Sequence, residues 1–324
     1  MTTRSTVLIL GASGRLGAAC AKAFASAGWQ VIAQTRKVAA VQWPQGVSAL
    51  VTGDAPIEQF TSSLQNVDVV LHAMNPAYTN AAWAAQMPAM MSAAIAVANS
   101  LNACLMFPGN VYNFGADMPK RLDESTPQRP TTVKGRLRVD VELALQQATE
   151  SSGMRAVVIR AGDFFGGGKG SMFDQVTVSK IKKGIFTHSG PIDVATPWAY
   201  LPDLAQTFVA VAERRERLAA FEVLHFAGHH ISGLDWLATL QPLAAANKWV
   251  AGGQPLKTVA LPWPVMRLIA LFNPTLAALL EMRYLQSTPH ALDNTRLRNA
   301  ISAEPHTPLA KATACALADL GLTT

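Results

Sequence analysis

"LILGASGRLGAACAKAFASAG", residues 8–28, joins a short apolar run to a helical pattern through three glycines. Gly11, Gly14 and Gly17 lie directly after the predicted first strand and at the start of the predicted first helix. Glycine allows a tight turn here and lets the backbone come close to a ligand. The helix N-terminus adds free amides and the positive end of the helix dipole. This strand–turn–helix context predicts a site for the diphosphate of a dinucleotide.

The chain continues with an alternation of short apolar strands and helical stretches. We predict strands at 6–10, 30–34, 48–52, 68–73, 103–107, 155–160 and 221–226. We predict helices between them at 15–27, 56–65, 81–100, 136–151 and 202–216. Continuous apolar strands are typical of a sheet that helices cover on both faces. The pattern predicts an α/β protein with a doubly wound parallel sheet, the Rossmann fold.

A smaller, mostly helical part is predicted after about residue 230. Its expected helices are at 233–247, 264–285, 290–300 and 307–321. We assign 1–165 to a dinucleotide-binding Rossmann domain, to which 193–230 returns, and 166–192 with 231–324 to a C-terminal substrate or lid domain. The apolar stretch 261–280 holds three prolines and one arginine, so we interpret it as a packed or lid element.

The composition excludes several classes of protein. Half of the 324 residues are hydrophobic and 15% are charged, which indicates a globular chain with a large core. The formal charge of +6 is spread over separated basic groups without interleaved aromatics, so we predict no nucleic-acid partner. The three cysteines lie far apart without metal-ligand spacing, so we predict buried thiols, no metal and a cytoplasmic location. We also predict no membrane partner, because polar residues and a proline interrupt the apolar stretch 81–106.

The G-x-x-G-x-x-G spacing of the glycine turn resembles that of the extended and atypical short-chain dehydrogenase/reductase superfamily. Later segments that resemble its motifs are "RAGDFFGGG" (160–168), "WAYLPDLAQTF" (198–208) and "DNTRLRNAISAEPHTPL" (293–309). The whole chain is similar to an atypical branch of the NAD-dependent epimerase/dehydratase family. The resemblance implies a nicotinamide dinucleotide cofactor, a small-molecule substrate and pairing of subunits as a homodimer.

The end of the second strand indicates whether the cofactor is NAD(H) or NADP(H). Members that bind NAD usually end this strand with an acid that takes the ribose hydroxyls. This chain has "VIAQTRK" at 31–37, with no acid and with Arg36, whose guanidinium suits a 2′-phosphate. Arg15, inside the glycine turn, could add to the same pocket. The sequence therefore favours NADP(H), with NAD(H) as the alternative.

Further cofactor contacts follow from the resemblance. Asp54, after the third strand, is expected to bind the adenine amino group, while Ala73 and Asn75 follow the fourth strand. The complete set of expected cofactor-binding residues is Gly11, Ser13, Gly14, Arg15, Leu16, Gly17, Arg36, Asp54, Ala73, Met74, Asn75, Pro108 and Lys134.

The catalytic positions of the superfamily are substituted in this chain. Matching "FPGNVYNFG" (107–115) to the superfamily pattern puts Pro108 where a Ser or Thr should orient the substrate carbonyl. Matching "RPTTVKGRLRVDVE" (129–142) puts Lys134 in the place of the catalytic Tyr and Arg138 in the place of the Lys. The frame of an active-site helix is therefore present, but its usual functional groups are not.

Two functions remain open at this point. In the first, the chain is an NADP(H)-dependent oxidoreductase or isomerase. Lys134 then either donates the proton, because burial and Arg138 lower its pKa, or joins Arg138 in holding ribose hydroxyls, phosphate or an anionic substrate. Glu142 could pair with Arg138 and cancel part of this effect. In the second, the chain is a non-catalytic NAD(P)-binding regulator or redox sensor. The catalytic candidates are Lys134, Arg138 and Asn110, and the substrate-contact candidates are Tyr112, Asp163 and His188.

Overall fold

A computed structural model describes residues 4–38 and 42–323 of the chain. The strands of the described residues are β1 Thr6–Leu10, β2 Gln30–Thr35, β3 Val47–Val51, β4 Val69–His72, β5 Cys104–Asn110, β6 Arg121–Leu122, β7 Ala156–Ala161, β8 Asp163–Phe165, β9 Ile185–His188, β10 Thr196–Tyr200, β11 Phe221–His225, β12 His229–Ile231, β13 Lys257–Ala260 and β14 Ala291–Leu292. The α-helices are α1 Arg15–Ser26, α2 Asn80–Ser100, α3 Val133–Ser152, α4 Leu201–Ala212, α5 Gly233–Ala246, α6 Trp263–Ala270, α7 Pro274–Glu281, α8 Thr295–Ile301 and α9 Leu309–Asp319.

Seven parallel strands form the central sheet in the order β11-β7-β5-β4-β1-β2-β3. The seven strands expected from the apolar runs all lie in this sheet, so the prediction of a doubly wound Rossmann fold is confirmed. Alternate residues of β1 point to opposite faces. Val7 and Ile9 pack in the core beneath α1 and α4, whereas Leu8 and Leu10 pack beneath α2 and α3. Both faces are therefore covered, which explains the uninterrupted apolar runs.

The order of the strands reverses between β1 and β4. From β1 the sheet continues through β2 and β3, and from β4 it continues through β5, β7 and β11 in the opposite direction. In open α/β sheets, the loops at the carboxyl ends of the strands on either side of such a point form the ligand crevice. Here those loops are the glycine turn after β1 and the segment that follows β4.

A second core lies outside the central sheet. The strands β12, β10 and β8 form a small sheet, and β13 pairs with β9. Phe165, Phe186, Trp198 and Trp236 are buried in this core together with apolar residues of α5 and α9. The strands β8 and β10 of this second core come from segments that the sequence prediction assigned to the Rossmann domain, and the proposed domain division stays a prediction.

The sequence prediction was wrong at several elements. The helix expected at 264–285 is broken into α6 and α7, because Pro274 starts a new helix whose first turn is capped by the Asn273 side chain. The helix expected at 290–300 begins only at Thr295, since residues 291–292 form β14 with β6. The segment 56–65 is a 3₁₀ turn from Ile57 to Ser63 rather than an α-helix. Cys315, expected to be buried, is exposed on α9.

One described helix, α2, is long and apolar enough to cross a membrane by length and composition. Its residues Trp83, Met87, Met91 and Val97 are buried in the core between the sheet and α3. This buried face contains the large apolar side chains, whereas the exposed residues of the helix include Ala84, Ala85 and Ala89.

Candidate active site

The glycine turn brings the start of α1 against the end of β1. A Cβ atom on Gly17 would lie 2.5 Å from the Gly11 carbonyl oxygen, and one on Gly11 would lie 3.0 Å from the backbone of Met74. Gly11 also has a φ of +77°. Only glycine fits these two positions, because the turn is tight and its backbone conformation is left-handed. The turn therefore packs closely on the segment after β4, as the dinucleotide site requires.

The N-terminus of α1 is open to an anion. Side chains cap the N-termini of α2, α3 and α5 through Thr79, Thr132 and Ser232. Gly14, the N-cap of α1, offers no such group, and the first turn of α1 holds no acid. The amides of Arg15, Leu16 and Gly17 are the first three of the helix, so they have no intrahelical acceptor. These residues fit the diphosphate of a dinucleotide, and the neighbouring Ser13 is exposed beside them.

Arg15 reaches away from the turn to a glycine-rich loop. Its guanidinium donates to the carbonyl oxygen of Gly166 over 2.6 Å, while its Nε is buried without a partner among the described residues. Burial lowers the pKa of Arg15, and the carboxylate of Asp174 partly offsets this. The structure thus places Arg15 between the turn and the loop 166–170.

The carboxyl end of β2 leads into Arg36, the residue expected to distinguish NADP(H) from NAD(H). The Gln34 side chain accepts from the Gly11 amide over 2.9 Å, which joins β2 to the glycine turn. Arg36 follows β2 directly and is exposed. Asp54 is exposed in the loop after the neighbouring strand β3. Both side chains are therefore free to meet a bound adenosine at this edge of the sheet.

The segments after β4 and in β5 form the other wall of the crevice. The Ala73 amide donates to the Leu10 carbonyl over 2.9 Å, and Asn75, two residues later, is exposed at the crevice. Pro108 lies within β5, and the Asn110 side chain accepts from the Tyr112 amide over 3.0 Å. Asn110 thereby fixes the start of the loop that carries Tyr112.

Lys134 lies in the first turn of α3 with no exposed surface. Its ammonium donates to the Asn80 Oδ1 over 2.5 Å and lies 4.5 Å from the centre of the Tyr78 ring. The Asn80 amide donates in turn to Glu281 over 2.6 Å. Burial lowers the pKa of Lys134, and the Glu281 carboxylate partly offsets this. A lysine in this setting is a stronger proton donor than one in water.

Glycine at position 135 allows α3 to approach the Tyr112 loop. A Cβ atom on Gly135 would lie 2.5 Å from the Tyr112 carbonyl oxygen. Lys134, one residue earlier, lies beside the rings of Tyr78, in the segment after β4, and Trp83, in α2.

Arg138 is held by the sheet and by aromatic rings. One of its terminal nitrogens donates to the Pro108 carbonyl over 3.0 Å, and the guanidinium lies 5.0 Å from the Phe107 ring and 5.2 Å from the Trp83 ring. The suggested pairing of Glu142 with Arg138 is wrong. Glu142 instead forms a buried ion pair with Arg160, at 2.5 Å, because β7 passes directly beneath this turn of α3.

Tyr78 and Tyr112 bring two hydroxyl groups together. Their oxygens are 3.3 Å apart, and the Trp83 ring lies against both side chains. Burial raises the pKa of Tyr112 to about 12, and the carboxylate of Asp163 adds to the rise. Both hydroxyls therefore stay protonated at neutral pH and are able to donate hydrogen bonds.

Asp163 carries the most perturbed carboxyl near these tyrosines. Burial raises its pKa to about 6, although the Gln286 amide donates to it over 2.5 Å. Gln286 also accepts from the Ser189 hydroxyl over 2.8 Å. His188 ends β9, and its imidazole bonds to the Gly190 carbonyl over 2.7 Å; among the described residues it has no hydrogen bond to Asp163.

The predicted residues Lys134, Arg138, Asn110, Tyr112 and Asp163 lie near one another at the carboxyl edge of the sheet, and their roles stay a prediction. Sequence reasoning missed the partners that come from distant segments, which are Tyr78, Asn80, Glu281 and Gln286. The first two follow β4, and their position after a buried parallel strand is a signal that could have found them. The others lie after α6, where the sequence pattern gave no register relative to the sheet.

Clusters of three or more His, Cys, Asp or Glu side chains that could hold a metal ion are absent from residues 4–38 and 42–323.

The glycine turn, the open helix N-terminus and the strand reversal define a Rossmann-type fold whose crevice fits a dinucleotide. The model of the NAD dependent epimerase/dehydratase family matches residues 7–226, and the chain belongs to this family. Curated protein sequences give no match to the chain.

Solved structures share the fold over nearly the whole chain. A protein described as an epimerase from Burkholderia cenocepacia J2315 has a TM-score of 0.74 at 16% identity, covering 98% of this chain and 97% of that chain. UDP-glucuronic acid 4-epimerase from Bacillus cereus, in complex with NAD, has a TM-score of 0.72 at 13% identity, covering 96% and 94%. The enzyme WbmH from Bordetella bronchiseptica, in complex with NAD+, has a TM-score of 0.71 at 15% identity, covering 98% of both chains. At these identities the similarity shows the fold.

Proposed function

We propose that this protein is an NADP(H)-dependent oxidoreductase or isomerase that acts on a small carbonyl or hydroxyl substrate. The observation that carries the proposal is the buried ammonium of Lys134, at the helix position where the resemblance places the catalytic tyrosine. The homodimer and the cytoplasmic location expected from the sequence belong to this proposal.

The chain's own groups would hold the cofactor as follows. The first amides of α1 bind the diphosphate, Arg36 binds the 2′-phosphate, and Asp54 binds the adenine. Ala73, Met74, Asn75 and Pro108 line the path toward the nicotinamide. The bound dinucleotide supplies or accepts a hydride at this end. Although the related structures hold NAD, this chain has Arg36 and no acid after β2, which supports NADP(H).

Lys134 would deliver the proton that accompanies hydride transfer to a carbonyl. Burial lowers its pKa, so the ammonium gives up a proton more readily than an exposed lysine does. Asn80 orients the ammonium, and the Glu281 carboxylate opposes the fall of the Lys134 pKa. Arg138 and Asn110 hold the neighbouring backbone in place, while Tyr112, Asp163 and His188 are the proposed substrate contacts.

The second candidate function is a non-catalytic NAD(P)-binding regulator or redox sensor. It is favoured by hydrogen bonds within the protein that occupy the two residues at the catalytic Tyr and Lys positions. Lys134 donates to Asn80, and Arg138 donates to the Pro108 carbonyl. A site whose charged groups are already occupied can hold a dinucleotide without turning over a substrate.

Calorimetry on the nucleotide-stripped protein tests the cofactor proposal. We expect heat of binding with NADPH and weaker binding of NADH. The Arg36→Ala variant should lose most of the preference, whereas Lys37→Ala, an exposed neighbour, should keep it. Tighter binding of NADH by the unmodified protein would contradict the choice of NADP(H), and no heat with either dinucleotide would contradict the cofactor itself.

NADPH consumption over a panel of carbonyl compounds tests the catalytic proposal. The unmodified protein should turn over at least one compound, and Lys134→Met should lose about 10²–10⁴-fold in kcat, the usual contribution of a general acid. Arg136→Met, an exposed position on the same helix, is the matched control and should keep full activity. Tight NADPH binding without turnover on a broad panel would favour the sensor.

A further inference from the structure

Arg138 is a buried cation without a carboxylate partner among the described residues. It is 8% exposed, and Glu142, the acid one turn further along α3, is bound to Arg160. Its Nη1 donates to the Pro108 carbonyl over 3.0 Å. Its Nε is buried without a hydrogen-bond partner, and its Nη2 donates to no group that the structure describes. The Nε–Nη2 edge of the guanidinium, which can bind a carboxylate through two parallel hydrogen bonds, is therefore not used within the protein.

A second buried cation lies one turn earlier on the same face of α3. Lys134 and Arg138 are spaced i and i+4, and their charges lie 5.4 Å and 5.2 Å from the centre of the Trp83 ring. Glu281 is linked to Lys134 through the Asn80 side chain. This carboxylate compensates one positive charge of the pair, and the charge of Arg138 stays without a counter-ion among the described residues.

Neutral polar groups close to Arg138 are also unpartnered. Trp83 Nε1 and both ring nitrogens of His72 are buried without a hydrogen-bond partner in the part of the chain that the structure describes. The His72 ring lies 5.3 Å from the Phe107 ring, on which the Arg138 guanidinium packs at 5.0 Å. Burial and the charge of Arg138 lower the pKa of His72 to about 3, so this imidazole is neutral. Buried polar groups are normally hydrogen-bonded, so this part of the site can give further bonds to a ligand held by Arg138.

We propose that the substrate is a small oxo acid or hydroxy acid whose carboxylate binds the Nε–Nη2 edge of Arg138. The inference rests on the proposed function, because Lys134, one helical turn away, would then meet the carbonyl or hydroxyl oxygen of the same molecule. Ribose hydroxyls, another role open from the sequence, are neutral and would leave the buried charge of Arg138 uncompensated. A carboxylate supplies the missing negative charge, and its two oxygens match the two donors of one guanidinium edge.

Substrate pairs that differ in charge test the proposal. NADPH consumption is measured with short α-, β- and γ-oxo acids and with the carboxamide of each. We expect kcat/KM of at least one acid to exceed that of its amide by about 10–10²-fold, the usual value of hydrogen bonds to a charged group. Arg138→Gln should remove this difference by raising the KM of the acid, with the KM of the amide unchanged. Arg136→Gln, at an exposed position on the same helix, is the matched control and should keep the preference.

Binding of oxamate tests the carboxylate site without turnover. Oxamate is an unreactive carboxylate that resembles an oxo acid, and its binding to the NADPH-loaded protein is measured by calorimetry. The unmodified protein and Arg136→Gln should bind it, whereas Arg138→Gln should bind it at least about tenfold more weakly. Arg138→Lys keeps the charge but not the two-donor edge, so its affinity should lie between these values. Circular dichroism and the affinity for NADPH report whether each variant is folded.

The outcomes separate this inference from the proposed function. Oxamate binding that depends on Arg138, without turnover of any carbonyl compound, would contradict the proposed function and support a carboxylate ligand. Turnover of neutral carbonyl compounds with a kcat/KM equal to or above that of the acids would overturn the inference and leave the proposed function standing. Oxamate binding that is absent, equal in Arg138→Gln and the unmodified protein, or weaker than binding of inorganic phosphate would also overturn it.

Discussion

Replacing Asp163 with asparagine is expected to stabilise the protein above about pH 6, where burial has placed the pKa of this carboxyl. The ordinary value is 3.8, so the folded protein raises the pKa by roughly two units. Each unit corresponds to about 1.4 kcal/mol, so the ionised carboxylate costs up to about 3 kcal/mol. Because part of Asp163 reaches solvent, this figure is an upper bound.

The direction of the pH dependence follows from proton binding. The folded protein holds a proton on Asp163 at a pH where the unfolded chain has already released it. The contribution to stability is therefore complete below about pH 4, falls as the pH rises, and is lost above about pH 6. Asparagine has nearly the same shape and carries no charge, and its oxygen can still accept from Gln286. The variant should lack this part of the pH dependence.

Urea unfolding followed by tryptophan fluorescence, at a series of pH values between about 4 and 8, measures the effect. The expected result is a midpoint for Asp163→Asn that exceeds that of the unmodified protein at neutral pH and converges with it under acid conditions. Asp117→Asn, an exposed position, is the matched control and should follow the unmodified protein at every pH. Parallel curves for Asp163→Asn and the unmodified chain would refute the reasoning, because they would mean that the carboxyl ionises equally in both states.

Three further predictions concern stability and the glycine turn. Gly17→Ala should abolish dinucleotide binding, since its Cβ would lie 2.5 Å from the Gly11 carbonyl oxygen. Gly14→Ala, whose Cβ would lie 3.3 Å from the same oxygen, should weaken binding less, and equal calorimetric dissociation constants for the two variants would contradict this. Arg160→Met should cost about 3–5 kcal/mol by leaving Glu142 buried and unpaired, and adding Glu142→Leu should recover part of that loss in urea unfolding. Ser232→Ala should cost about 1 kcal/mol because it breaks the capping box of α5, and an unchanged midpoint would contradict this.

The central sheet could be predicted from the sequence because its strands are buried on both faces. Such strands appear as unbroken apolar runs, and the glycine turn after the first of them locates the crevice without any distant information. The same reasoning failed after residue 230. The unbroken apolar pattern joined α6 and α7 into one predicted helix within a packed or lid element, whereas Pro274 divides them and no residue of α6 is buried.

Charge pairing within the site could not be predicted for a related reason. Helical spacing suggested Glu142 as the partner of Arg138, but spacing along one helix does not report which strand lies beneath it. Arg160 on β7 takes the carboxylate, and Arg138 is left to the Pro108 carbonyl and two aromatic rings. The contacts that decide the chemistry of the site are thus between segments far apart in sequence.

One such contact between distant segments joins α7 to Lys134, the proposed proton donor. Glu281 ends α7, accepts the first amide of α3, and holds the asparagine that orients Lys134. Its carboxylate raises the pKa that burial lowers, so the position of α7 sets how acidic the buried ammonium is.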